Sequence, residues 1–192
     1  MSATYKMGYL EAPNDAKEGE LARPYIFLGG GISNCPNWQG EVHDKLSMLL
    51  ANGTIINPRR AKFDEQTKAN ERLQVSWEHY WLWNSDILTF WFCKDTLCPI
   101  TQHELGAQLG RAKVARMSSK EFKSGDLTIT HNVVVPQLVV GVEPGYQRAD
   151  NVEVQIEQAC PGRVPLVRSV DQLVGTIHEQ IKEYNRRHAK GW

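Results

Sequence analysis

The chain has 192 residues, and its 22 Lys and Arg residues are balanced by 22 Asp and Glu residues. A chain of this length can bury a core without metals or disulfides. The neutral balance gives no field that would draw it to nucleic acid or to a membrane surface. No apolar run approaches the roughly 20 residues that span a bilayer, and the polar N-terminus lacks a signal-peptide core. We therefore expect a cytoplasmic protein with a small-molecule ligand.

The four cysteines are Cys35, Cys93, Cys98 and Cys160, and no two of them form a CxxC pair. This spacing predicts no zinc site. In a reducing compartment we expect all four to be free thiols. We also expect no cofactor.

The N-terminal third begins with a polar segment and continues as alternating elements. Residues 1–24 show no sustained periodicity and predict an N-terminal arm, which leaves residues 25–192 as a single domain. The apolar run 25–28 predicts a buried first strand that ends at a triple glycine. An approximate 3.6-residue stripe then predicts a helix over 38–50, and residues 54–57 predict the second strand.

The rest of the chain repeats this alternation. Apolar periodicity predicts a second helix over 73–83, a third strand over 86–92 and a third helix over 101–116, in which Gly106 and Gly110 would let the helix approach the sheet closely. Residues 117–131 predict a polar excursion. The fourth strand falls within 132–142, where Pro136 marks either the residue before its start or a bulge or edge position. The last predicted elements are a helix over 151–159, a strand over 164–167 and a final helix capped by Ser169 or Asp171. This order predicts an α/β fold with a doubly wound, five-stranded parallel sheet and helices on both faces.

A carboxylate follows the third strand at the start of the third helix. Ligands of open α/β sheets bind beyond the carboxyl ends of the strands, so Glu104 would stand at the mouth of a pocket and could act as a nucleophile. Thr101-x-x-Glu104 also matches a capping box, in which the Glu side chain satisfies the N-cap amide. From this segment alone, both interpretations are open.

The loop after the first strand is the second candidate. Gly29, Gly30 and Gly31 would allow backbone amides to approach a sugar or phosphate, and Ser33 and Asn34 are possible polar contacts. The loop matches neither common phosphate-binding motif. A simple strand-to-helix turn explains it equally well.

The second helix is crowded with aromatic residues, among them Trp77, and carries Glu78 on the face that holds Gln74. A solvated or ion-paired glutamate is one interpretation. The other is an acid that recognises a nucleobase, because a carboxyl beside aromatic surface is partly desolvated and its pKa tends to rise.

Taken in order, the segments Ile26-Phe27-Leu28-Gly29-Gly30-Gly31, Trp77-Glu78, Ser85-Asp86-Ile87 and Glu104-Leu105-Gly106-Ala107 resemble the nucleoside 2-deoxyribosyltransferase family over about residues 25–160. The resemblance implies a flavodoxin-like sheet with Glu104 as the nucleophile on the sugar anomeric carbon. It implies that Glu78 contacts the base, with Trp77 and Thr101 as further substrate-binding candidates, and that Asn151 of a neighbouring subunit completes the pocket of a homo-oligomer. The chain departs from the family pattern at Phe27, where a tyrosine is common, and at Cys98, where an aspartate is common.

Three functions follow from this resemblance. The leading hypothesis is a nucleoside 2-deoxyribosyltransferase that exchanges a free base with the base of a 2′-deoxynucleoside through a covalent glycosyl-glutamate. The second is an N-glycoside hydrolase of a nucleoside or of its 5′-monophosphate, for which Arg59, Arg60 and Ser33 could hold the phosphate. The third is a non-catalytic protein that binds or senses nucleotides.

Overall fold

The computed structural model describes residues 7–16, 20–49, 51–61, 68–118, 120–124, 127–131 and 135–189. Thirteen elements follow one another in this part of the chain, eight strands and five helices. In chain order they are β1 (Gly8–Glu11), β2 (Tyr25–Gly30), α1 (Trp38–Met48), β3 (Thr54–Asn57), α2 (Lys68–Asn84), β4 (Ile87–Phe92), α3 (Pro99–Ser118), β5 (Lys120–Ser124), β6 (Leu127–His131), β7 (Gln137–Val142), α4 (Ala149–Ala159), β8 (Leu166–Val167) and α5 (Val170–Ala189).

Six of the strands form one sheet in the order β1-β3-β2-β4-β7-β8, and every neighbouring pair is parallel. Two hydrophobic cores lie on opposite faces of this sheet. One contains apolar residues of α2, α3 and α4, and the other contains apolar residues of α1 and α5. The predicted doubly wound, flavodoxin-like α/β fold is therefore confirmed.

Strand β4 shows why the sheet is covered on both faces. All six of its residues are buried. Side chains alternate across a strand, so Leu88 and Phe90 enter the core with α2, α3 and α4, while Ile87 and Trp91 enter the other. A strand buried on both faces has a continuous apolar sequence, which matches this segment.

The sheet has a sixth strand, because part of the predicted N-terminal arm belongs to it. Residues of β1 pair with β3 from Gly8 with Thr54 to Glu11 with Asn57. Leu10 is 7% exposed and joins the core. Backbone pairing with β3 holds this strand, whose four residues are too few to show a periodicity in the sequence. The prediction of an arm was wrong for these residues, whereas a domain boundary at residue 24 stays a prediction.

The predicted excursion over 117–131 also contains regular structure. Helix α3 continues to Ser118, and β5 and β6 pair antiparallel as a separate two-stranded sheet. Strand β7 begins at Gln137, directly after Pro136, as the first of the two alternatives predicted. The proposed close approach of α3 through Gly106 and Gly110 was wrong, because both glycines are exposed and a Cβ built on either meets nothing within 4 Å.

The expectation of four free thiols was also wrong. Cys35, in the loop after β2, forms a disulfide with Cys93, which directly follows β4. The two strands are neighbours in the sheet, so their carboxyl ends bring the two cysteines together. Cys98 and Cys160 are free and buried. A cytoplasmic location stays a prediction.

Two further observations apply to the described ranges. None of their helices is long and apolar enough to cross a membrane. Nor do they contain a group of three or more His, Cys, Asp or Glu residues that could hold a metal ion.

Candidate active site

A cavity of about 410 Å³ lies where β2 and β4 end, at the carboxyl edge of the sheet. This is the position at which open α/β sheets bind ligands. Its volume is within the range of small-molecule sites. Of the residues predicted from the sequence, seven line this cavity: Gly29, Gly30, Gly31, Ser33, Glu78, Thr101 and Glu104.

The helix that carries Glu104 begins earlier than predicted, and this removes the capping-box interpretation. Helix α3 begins at Pro99, and the backbone N–H of Gln102 donates to the carbonyl of Cys98 at 3.0 Å. Proline suits the first helical position because it has no N–H to satisfy there. Thr101 is therefore the third residue of the helix rather than its N-cap. The Thr101 side chain is buried and Glu104 lies one turn further on.

Glu104 lies in an environment that favours its neutral form. Burial and, second, the negative charge of Glu78 raise the pKa of Glu104 to about 8. Both causes penalise the carboxylate, since burial removes its hydration and a like charge repels it. A carboxyl held in this way is a strong nucleophile once ionised, because burial withholds the water that would stabilise its charge.

Glu78 reaches the same cavity from α2. Burial raises its pKa, while a hydrogen bond from Gln74 and the charge of Arg60 oppose that rise. The Gln74 amide nitrogen donates to Oε1 of Glu78 at 2.6 Å. Near neutral pH one carboxyl group can thus be protonated while the other is ionised, and without substrate the protonated one is Glu104, whose pKa is about 8.

The glycine loop is shaped by packing as much as by a ligand. The Gly31 N–H donates to the carbonyl of Trp91, and the Trp38 indole donates to the carbonyl of Gly31, each at 3.0 Å. A Cβ on Gly30 would lie 2.6 Å from the carbonyl oxygen of Trp91 and from the Trp38 ring. The loop therefore forms the wall of the cavity, and the Gly31 amide is already engaged within the protein.

Three predicted site residues lie elsewhere. Trp77 is buried in the core, and its indole donates to the carbonyl of Asn14 at 2.9 Å. Asn34 is exposed and does not line the cavity, and its φ of 58° is a turn conformation. Asn151 is exposed on α4 and lines a separate cavity beside Gln102. One chain therefore does not bring these three residues to the carboxyl pair.

The two arginines proposed for phosphate have partners within the protein. The Arg59 guanidinium donates to the carbonyl oxygens of Ile32 at 3.1 Å, Cys35 at 2.8 Å and Pro36 at 2.6 Å, and to the side chain of Gln39 at 3.2 Å. Arg59 thus holds the loop after β2. Arg60 donates from Nε to Oε1 of Gln74 at 2.5 Å.

Two features of this site were not predicted from the sequence. The first is the hydrogen bond from Gln74 to Glu78. Its sequence signal is the spacing of four residues, which places both side chains on one helix face. The role of Arg59 had no sequence signal, because its partners are backbone carbonyls from a distant loop.

The fold and the cavity together define an α/β protein with two carboxyl groups at the carboxyl edge of a parallel sheet. The family model described as "Nucleoside 2-deoxyribosyltransferase like" matches residues 23–122. The chain belongs to this family. A search of curated proteins gives no match. Family membership points to a glycosyltransferase-type enzyme that acts on nucleosides.

Proposed function

We propose that the protein exchanges the base of a 2′-deoxynucleoside, with Glu104 as the nucleophile and Glu78 as the acid and base. The observation that carries the proposal is that both carboxyl groups line one cavity, each with a raised pKa. Paired carboxyls of this kind serve glycosidic bond cleavage, in which one group is a nucleophile and the other donates a proton.

The reaction has two displacements. In the first, an ionised oxygen of Glu104 forms a bond to C1′ as the bond from C1′ to the base nitrogen breaks, and that nitrogen receives the electron pair and a proton from Glu78. The product is a deoxyribosyl ester of Glu104 and a free base. In the second, a nitrogen of an incoming base attacks C1′, the ester oxygen leaves as the Glu104 carboxylate, and Glu78 accepts the proton of that nitrogen. Two inversions retain the anomeric configuration.

The charges around the cavity support a nucleoside over a nucleotide. The described residues that line it include two carboxyl groups and no Lys, Arg or His. Arg59 and Arg60 are engaged by acceptors within the protein. Among the described lining residues, a 5′-phosphate would therefore meet two carboxyl groups and no cation. We expect a 2′-deoxynucleoside to have a much higher kcat/KM than its 5′-monophosphate.

We also propose that a homo-oligomer shares its active sites. Asn151 is exposed on α4 and does not line the cavity that holds Glu78 and Glu104 of its own chain. It could therefore contact a substrate only in the active site of a neighbouring chain. A mixture of Glu104→Ala and Asn151→Ala chains tests this proposal. If Asn151 acts in the neighbouring site, mixed oligomers regain sites with both residues and recover turnover. A monomer in light scattering, or no recovery after subunit exchange, would contradict it.

Product analysis tests the proposed reaction. The protein is incubated with a panel of 2′-deoxynucleosides, with and without a second free base, and products are separated by chromatography. Base exchange predicts a new deoxynucleoside that forms only when the second base is present. The second candidate, hydrolysis, resolves the same ester with water and gives free deoxyribose in either case. Tight binding without turnover would favour the non-catalytic alternative.

A further inference from the structure

The Gln74 side chain connects two charged residues through a continuous line of hydrogen bonds. Arg60 Nε donates to Gln74 Oε1 at 2.5 Å. Gln74 Nε2 in turn donates to the carbonyl of Pro58 at 2.9 Å and to Glu78 Oε1 at 2.6 Å. The amide therefore uses its oxygen and its nitrogen in three bonds at once, and Glu78 stands at the end of the line.

The chemistry of these groups allows only one orientation of the Gln74 amide. A guanidinium has donors and no acceptor, and a backbone carbonyl has only acceptors. Turning the amide by 180° would place its NH2 against Arg60 and its oxygen against Pro58. Both contacts would then be repulsive, so the nitrogen must face Glu78. Arg60 and Pro58 together fix the amide so that its nitrogen, and not its oxygen, faces Glu78.

The hydrogen bond from Gln74 also makes the two carboxyl oxygens of Glu78 chemically different. Because Gln74 presents a donor, Oε1 must accept and is a poor place for the acidic proton. The proton of a neutral Glu78 is then carried by Oε2, the oxygen that does not accept from Gln74, and Glu78 itself lines the cavity. The side chain has three rotatable bonds to the carboxyl group, and the hydrogen bond at Oε1 restricts them.

We propose that Gln74, oriented by Arg60, is a positioning residue that holds Glu78 with Oε2 toward the departing base. This inference rests on the proposed function, because it assigns Gln74 a role through the acid Glu78. Neither Gln74 nor Arg60 is placed in contact with the reacting atoms. Their proposed contribution is to hold the acid in place for proton transfer, and both also oppose the rise in the pKa of Glu78.

A positioning role makes a prediction about the leaving base that a general structural role does not. An ordinary base needs a proton in order to leave, whereas a 2′-deoxyribosyl pyridinium carries a positive charge and releases a neutral pyridine without one. Loss of Gln74 should therefore slow the first substrate and spare the second. General damage to the cavity would slow both.

The experiment compares wild type, Gln74→Leu and the control Gln158→Leu, which alters an exposed glutamine on α4. Each is assayed with its best ordinary deoxynucleoside and with nicotinamide 2′-deoxyriboside as the pyridinium. We expect Gln74→Leu to lower kcat for the ordinary substrate by about ten- to a hundredfold, a part of the gain that a positioned acid provides, with a change of about threefold or less for the pyridinium. Gln158→Leu should match wild type with both.

Double variants provide the decision if the pyridinium is a poor substrate, and Arg60→Met assayed with both substrates provides it if Gln74→Leu folds badly. In a Glu78→Gln background, Gln74→Leu should cause no further loss of kcat. Arg60→Met alone should lower kcat for the ordinary substrate, as Gln74→Leu does. Combined with Gln74→Leu, it should lower kcat no further. Equal losses with both substrates, or additive losses in the double variants, would overturn the positioning role. Wild type without turnover of any substrate would instead overturn the proposed function.

Discussion

Glu104 on α3 and Glu78 on α2 line the same cavity, and the charge of Glu78 adds to burial in raising the pKa of Glu104 to about 8. The two groups thus titrate as a pair, in which ionisation of one opposes ionisation of the other. The proposed reaction needs an ionised Glu104 and a protonated Glu78. The hydrogen bond from Gln74 opposes the rise in the pKa of Glu78, so the pair without substrate holds its proton on Glu104, and the reaction requires that proton to pass to Glu78.

The coupling can be measured directly. In a 13C NMR titration of the glutamate side-chain carboxyls, the signal that disappears in Glu104→Gln should titrate with a midpoint near 8. Glu78→Gln removes the second cause of the rise, so the midpoint of Glu104 should fall toward its ordinary value of 4.5 without reaching it, since burial remains. A midpoint below 6 in wild type, or one unchanged in Glu78→Gln, would show that the groups are not coupled as described.

The same raised pKa predicts how stability depends on pH. A carboxyl whose pKa is higher in the folded than in the unfolded protein stabilises the fold below its unfolded pKa, and that contribution is lost as pH rises from 4.5 to about 8. Glu104→Gln cannot ionise. We expect this variant to be more stable than wild type at pH 8 by on the order of 1–3 kcal/mol.

The control for this prediction is the same comparison at pH 4. Wild-type Glu104 is then protonated in the folded protein, so the difference in the free energy of unfolding should be much smaller than at pH 8. Urea unfolding at both pH values measures it. A stability gain that is the same at pH 4 and pH 8 would show that ionisation of Glu104 is not its cause.

Two glycine substitutions should have opposite effects. A Cβ on Gly31 would lie 2.9 Å from the Cys98 sulfur and 3.0 Å from the Cys93 sulfur, and closer still to that of Cys35. Gly31→Ala should therefore destabilise the protein by about 1–3 kcal/mol through overpacking. Gly110→Ala meets nothing within 4 Å and should stabilise α3 by about 0.5–1 kcal/mol. Thermal unfolding measures both, and equal effects would contradict the packing of the loop.

The disulfide predicts a thiol count. After unfolding without reductant, the wild-type chain should show two reactive thiols rather than four, because Cys35 and Cys93 are joined. The bond links residues separated by 58 positions, so reduction should lower the free energy of unfolding by about 2–4 kcal/mol. Cys160→Ser is the control, and its chain should show one thiol. Four thiols in wild type would contradict the pairing.

Much of the fold followed from local patterns. Strand β3 has the bounds that its apolar run predicted, and β7 begins after Pro136 because proline cannot donate to the ladder. Leu173, Ile177 and Ile181 of α5 are all buried, as their spacing indicated. Ser169 caps that helix by accepting from the N–H of Gln172 at 3.2 Å. These features depend on residues that are close in the sequence, so the local order of apolar, polar and proline residues is enough to predict them.

What escaped prediction depends on contacts between distant segments. Strand β1 is held by its pairing with β3, and the Cys35–Cys93 bond follows from the neighbouring ends of β2 and β4. Sequence spacing contains neither relationship. At the site, the resemblance implied that Glu78 and Glu104 act on one substrate, but the local patterns of α2 and α3 did not bring them together, because that depends on the order of the strands.

The most direct test of the account is the detection of a covalent bond on Glu104. Wild type and Glu104→Ala are mixed with a deoxynucleoside substrate without an acceptor base, quenched in acid and analysed by intact-protein and peptide mass spectrometry. We expect a deoxyribosyl adduct on the wild-type peptide that contains Glu104, together with release of free base, and neither in Glu104→Ala. Base release by Glu104→Ala at the wild-type rate, or an adduct on another residue, would contradict it.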